Sequence, residues 1–160
     1  MTTIASEHFS GALYALLDET FDHVQGYYLD RGTSLFETLA GISAEEASIP
    51  VGGKCATLAA QVKHVAFYLD VYERSVRDPG FSGADWGEIW RTISRVEPDE
   101  WQAIQAELRT NYNRILKLIA ETASWPGEGE IGEAMAVVVH TAYHLGEIRQ
   151  ALCSLGGSFH

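Results

Sequence analysis

IGEAMAVVVHTAYHLGEIRQALCSL, residues 131–155, sets Ala134, Val137, Val138, Thr141, Leu145, Ile148 and Leu152 at steps of three and four residues. That period is one face of an α-helix, and no alternation of period two runs through the segment. Gly156-Gly157 follows as a stop signal. Three further stretches repeat the pattern. The first runs from about Glu7 to Leu29, with Phe9, Leu13, Leu16, Leu17, Thr20, Val24 and Tyr27 on its apolar stripe. The second begins after Gly52-Gly53 and continues to about Arg77, ahead of Asp78-Pro79-Gly80, with Leu58, Val62, Val65, Leu69, Tyr72 and Val76 on its core face. The third opens at Glu97-Pro98, carries Trp101, Ile104, Leu108, Ile115 and Ile119, and stops before Trp125-Pro126-Gly127. No stretch shows sustained strand-like alternation, so the expected class is all-α. Four amphipathic helices, each about 30–38 Å long at 1.5 Å per residue, are enough to enclose one shared core as a four-helix bundle.

The connections are long: about two dozen residues between helices one and two and nearly twenty between two and three, far more than tight hairpins need. The first contains a short helical candidate around Leu35 to Leu39 and a capping-box pattern at Ser43-Ala44-Glu45-Glu46. The second places Trp86 and Trp90 in glycine-rich surroundings, where they either pack on the bundle or form a lid.

Length and charge bound the function. The chain of 160 residues is 46% apolar and reads as a single domain over residues 1–160, large enough to bury a core. Its 22 acidic residues against 11 basic ones give a net charge of −11, which repels a nucleic-acid backbone or an anionic membrane. Cys55 and Cys153 stand far apart with no CxxC, as expected for two reduced thiols, each a small core residue. The N-terminal stretch carries acids where a signal peptide needs bases, and no apolar run is long enough to span a bilayer; the expected location is cytoplasmic.

Within the fourth helix, His140 and His144 lie about 40° apart at 100° per residue, close enough for both rings to reach one ion. They flank the apolar stripe, and Glu133 and Glu147 fall near the same direction. His64 stands in a similar flanking relation on the second helix, beside Gln61 and Tyr68. Three neutral imidazoles with open positions are the ligand set of catalytic zinc sites and also suit nickel, copper or iron. The competing reading of an i,i+4 histidine pair is a solvated or hydrogen-bonded pair with no ion. Thr141 stands where a zincin would carry its glutamate base, which disfavours a metalloprotease. His8, His23 and His160 have no partner at ligand spacing and read as surface histidines.

The segment HTAYHLGEIRQAL, with SLFETLAGISAEEAS between helices one and two and VKHVAFYLD on the second helix, resembles the DinB-like (DinB/YfiT-like) metalloenzyme superfamily over nearly the whole chain. The resemblance implies a four-helix bundle in an up-down-down-up arrangement, commonly homodimeric, with a divalent ion held by His64, His140 and His144. It also implies zinc or nickel as the first candidates, with iron, manganese or copper behind them. The implied chemistry is thiol-dependent S-transfer, with a low-molecular-weight thiol as cofactor, or hydrolysis of a small molecule. Tyr68 and Glu147 are candidates for the groups around the ligands. The alternative is a non-catalytic metal-binding stress-response or interaction protein. No serine stands in a GxSxG elbow, so an ion-activated water or an external thiol is the expected nucleophile.

Overall fold

Polar groups at the helix starts take up backbone N–H groups that the first turn leaves unpaired. In the computed structural model, which describes residues 4–50 and 56–155, the chain is all-helical, with seven helices among those residues. They are α1 (Ser6–Phe21), α2 (Leu35–Leu39), α3 (Ala44–Ala47), α4 (Leu58–Arg77), α5 (Glu88–Thr92), α6 (Pro98–Glu121) and α7 (Glu128–Ser154). At α4 the Thr57 hydroxyl accepts from the Ala60 N–H at 3.2 Å. At α3 the expected capping box is present: Ser43 Oγ accepts from Glu46 N at 3.2 Å, and the Glu46 carboxylate accepts from Ser43 N at 2.9 Å. Pro98 occupies the first turn of α6, where its missing N–H costs nothing.

Packing follows the apolar stripes. α4 lies most extensively against α6 and then α7, while α1 lies against α7 and, over a smaller area, α6. Leu17, Val65, Leu69, Leu108, Ile115 and Ile148 are fully buried in the shared core. Polar contacts fix the register of the helices. Asn111 Nδ2 donates to the Ala66 carbonyl at 2.9 Å, tying α6 to α4, and Trp101 Nε1 donates to the Ile42 carbonyl at 2.7 Å. The guanidinium of Arg114 on α6 pairs with Asp70 and Glu73 on α4. Among the described residues no helix is long and apolar enough to cross a membrane.

Several expectations need correction. The first helix ends at Phe21, not near Leu29. Glu19, completely buried, accepts backbone N–H groups from Gln25 and Tyr27 on Oε2 and from Tyr28 and Leu29 on Oε1, at 2.6–3.1 Å. The carboxylate thus holds the following segment as a loop, and Gly26, at φ +91°, allows the reversal that continued helix would forbid. Tyr27 is consequently exposed. Val76, assigned to the core face of the second helix, is 48% exposed because the last turn of α4 runs past the core. The second connection is not a plain loop: it contains α5, anchored by buried Ile89. Cys153 is exposed rather than a core residue. Gly52-Gly53, Cys55, Gly156-Gly157 and His160 lie outside the described residues.

Candidate metal centre

α4 and α7 bring together the three histidines singled out by spacing. His64 and His144 are buried and His140 is half-buried. Their rings form a triangle with centroid separations of 5.1 Å (His64–His140), 4.9 Å (His64–His144) and 4.6 Å (His140–His144). One ring nitrogen from each falls within 4.8 Å of the others. His64 Nε2 and His140 Nε2 stand 3.2 Å apart. Two imidazole nitrogens at 2.0–2.1 Å from one tetrahedral ion would be about 3.3–3.4 Å apart, so this separation fits two ligands of one ion.

The protonation states suit the same role. Burial, then the facing His144, pushes His64 down to about 4, against a smaller opposing pull from Glu147. Burial followed by His144 and His64 brings His140 to about 4. Burial also lowers His144, with Glu147 opposing. All three rings are therefore neutral near pH 7, each with a lone pair to offer. Among the described residues the Nδ1 atoms of all three are buried without a hydrogen-bond partner. Glu147 Oε2 lies 3.0 Å from His144 Nδ1, an ion-pair distance off the line of a hydrogen bond. A carboxylate at that place takes the outer N–H of a ligating histidine and fixes its tautomer.

Aromatic rings hold the triangle in place. Tyr68, four residues after His64, stacks on His140 at 3.9 Å and 18°. Trp90, on α5, lies over His64 at 4.8 Å, and Trp86 stands edge-on to His64 at 6.1 Å and to Phe67 at 5.5 Å. The indoles are therefore a half-exposed wall of the site. The short helix that carries Trp90 is braced by Asp85, next to Trp86 in the chain; its carboxylate accepts from Gly87 N at 2.9 Å and pairs with Arg91. Tyr143 meets His144 edge-on at 5.1 Å.

A cleft of about 700 Å³ runs along α7, lined by Gln61, Tyr143, Gly146, Glu147, Ala151 and Leu155 among others; none of the three histidines lines it, and it nears them only through Tyr143 and Glu147, which lie against His144. Trp86 and Trp90 are not part of this lining; they cover His64 from another side. Gln61 Oε1 is buried without a partner among the described residues, which costs about 1–3 kcal/mol for a polar atom left dry. Glu133 is exposed and acts on Tyr68, whose phenol is raised by burial first and by this carboxylate second. His8 is exposed. His23 is also exposed, but it does have partners: Asp18 Oδ1 at 3.0 Å, with Asp22 close by. Asp22 is itself paired with Arg109.

Sequence reading did not assign Tyr143 to the site and named Gln61 only as a neighbour of His64. The usable signal was helix geometry, since Tyr143 follows His140 by three residues and Gln61 precedes His64 by three, which puts each on its histidine's face. Trp90 carried no such signal, because α5 was not expected.

No family model, no curated protein and no solved structure matches this chain.

Proposed function

We propose that this chain is a metal-dependent enzyme of the DinB-like superfamily, holding one divalent ion on His64, His140 and His144 and acting on a small molecule. The observation that carries the reading is the triangle of neutral, mostly buried imidazoles brought together from two helices. A structural zinc site is closed by four protein ligands, whereas a catalytic one keeps a position free. Among the described residues the group has three. The ring of contacts α1–α7–α4–α6–α1 supports a four-helix bundle in the up-down-down-up arrangement. Zinc or nickel suits the all-imidazole set best; iron, manganese and copper follow. Cytoplasmic location and a homodimer belong to the same proposal.

When bound, the ion supplies Lewis acidity, lowering the pKa of a water or thiol and polarising a substrate group. The chain's own groups prepare for it. Burial keeps His64 and His140 unprotonated, so no proton competes for their lone pairs near neutrality. Glu147 lies 3.0 Å from the outer nitrogen of His144, placed to fix its tautomer once the ring ligates an ion, and stacked Tyr68 holds the plane of His140. Trp90 excludes water from one face of His64. Thiol S-transfer is preferred over hydrolysis on the family resemblance, with the thiol entering from solution. Cys153 is exposed on the last turn of α7, among residues lining a different cleft with Tyr28 and Arg149.

The test is a panel of S-transfer and hydrolase substrates run with the metal-loaded chain, with a chelator, and with the Cys55→Ala/Cys153→Ala variant. Turnover should survive loss of both cysteines and disappear with chelator or with His64→Ala. Activity that requires a cysteine and persists without metal would sink the reading. Metal binding without turnover on any substrate would favour the non-catalytic alternative.

A further inference from the structure

A neutral imidazole that gives one nitrogen to an ion keeps its proton on the other, and that N–H needs an acceptor. His64 Nε2 and His140 Nε2 stand 3.2 Å apart, so the shared side of these two rings is the Nε2 side. Two of the three histidines have a neighbour that sets them: Glu147 Oε2 lies 3.0 Å from His144 Nδ1, and Tyr68 stacks on His140. Trp90 lies over the ring of His64, but an indole face does not serve the edge of the ring, and Nδ1 there is buried with no hydrogen-bond partner among the described residues.

Side chains on an α-helix lean back over the preceding turn, so the ring of His64 lies over the positions three and four residues earlier. Those are Gln61 and Ala60, and only the glutamine side chain carries an acceptor. Nδ1 is the ring nitrogen next to the bond that joins the ring to Cβ, so it is the one that meets this turn. Gln61 is 6% exposed, and its Oε1 is buried without a hydrogen-bond partner among the described residues. Gln61 also shares the lining of the α7 cleft with Tyr143 and Glu147, which lie against His144, so its amide is on the side of α4 that meets α7. A buried acceptor without a donor and a buried ring nitrogen without an acceptor thus stand one turn apart on one helix.

We propose that Gln61 is a positioning residue of the metal centre, whose Oε1 accepts the Nδ1–H of His64 and so commits that ring to ligate through Nε2. The inference rests on the three-histidine reading and adds to it the residue that fixes the ligand from α4. Without an ion, neutral His64 can carry its proton on Nε2, toward His140 Nε2, and the amide oxygen has nothing to accept. Ligation through Nε2 requires the proton on Nδ1 instead, and a rotation of the amide then pairs the two orphaned atoms.

The test compares the full chain with Gln61→Met, which keeps the length of the side chain and removes the acceptor, and with Gln61→Glu, which keeps an acceptor. Zinc affinity is measured by competition with a chromophoric chelator, and the melting temperature is recorded without metal. Nitrogen-15 NMR of the zinc-loaded chain shows which ring nitrogen of His64 carries the proton. The proton should sit on Nδ1 of His64 in the wild type. Gln61→Met should weaken zinc about tenfold or more, the range for loss of a partner to a ligating histidine. Its metal-free melting temperature should be equal to or above the wild type's, because the change removes a buried oxygen that has no partner. Gln61→Glu should bind zinc within about threefold of the wild type or tighter. A residue that merely packs between α4 and α7 would give the opposite pattern, with the metal-free chain destabilised by Gln61→Met. That pattern, unchanged zinc affinity in Gln61→Met, loss of affinity in Gln61→Glu equal to that in Gln61→Met, or ligation of His64 through Nδ1 would each overturn the proposal. A wild-type chain that binds no zinc would overturn the three-histidine reading and this inference with it, whereas zinc bound equally by wild type and Gln61→Met would overturn the role of Gln61 alone.

Discussion

Glu19 is the residue whose surroundings say most about how this chain uses buried charge. Burial by itself would raise its carboxyl, yet the N–H groups of Tyr28, Tyr27, Leu29 and Gln25 hold it down at about 2. Glu19→Gln keeps the shape but places an NH₂ group against N–H donors. The expected loss is about 2–3 kcal/mol of folding stability, read by urea denaturation, because hydrogen bonds to a charged acceptor are among the stronger ones. The pH dependence follows from the lowered value. The contribution is complete above the ordinary value of 4.5 and is lost as pH falls through that point toward about 2. The stability gap between wild type and Glu19→Gln should therefore shrink across that window; a gap constant with pH would mean that the charge is not what holds the loop. None of this was legible in advance. Val24 and Tyr27 continue the helical spacing of α1, and periodicity cannot register a carboxylate one turn back that captures the next backbone segment. The histidines were legible because metal ligation constrains spacing itself: His140 and His144 share a face at four residues, whatever surrounds them.

At the scale of elements, α4 and α7 do two separable jobs, building the core with one face and presenting the histidines with its edge. The apolar face is redundant with the fold and the edge is not. Leu145, buried beside His144, should cost about 2–5 kcal/mol when cut to alanine, since it leaves a cavity between α7 and its neighbours. His144→Ala should leave thermal stability without metal within about 1 kcal/mol of wild type, because it also removes a buried ring nitrogen that has no hydrogen-bond partner. Melting curves of the two variants, recorded with chelator, would separate these roles; a His144→Ala chain as damaged as Leu145→Ala would make the histidine a structural core residue. The element the sequence concealed was α5. Its five residues are too few to display a period, and the glycines around it read as loop, so the seating of Trp90 on His64 came only with tertiary structure. By contrast α2, α3 and the start of α6 were recoverable because capping and proline signals are local.

For the molecule as a whole, the acidic surface and the exposed face of α7 set what it can meet. Met135, Val139 and Tyr143 recur every four residues on that face and are exposed. The proposed homodimer has a place there, and Tyr143 would carry the interface to the edge of the site. Sedimentation should then give twice the 17.6 kDa chain mass, and Val139→Glu should return the monomer; a wild-type monomer at tens of micromolar, about the working range of a moderate interface, would contradict the dimer. The claim on which the rest depends is that His64, His140 and His144 act together on one ion. The most direct measurement is the zinc and nickel content of the purified full chain, with calorimetric stoichiometry, for wild type and for each histidine changed singly to alanine. The expected result is one ion per wild-type chain and loss of most of it in all three variants, with helicity retained. Equal metal content in wild type and in the three variants would contradict it.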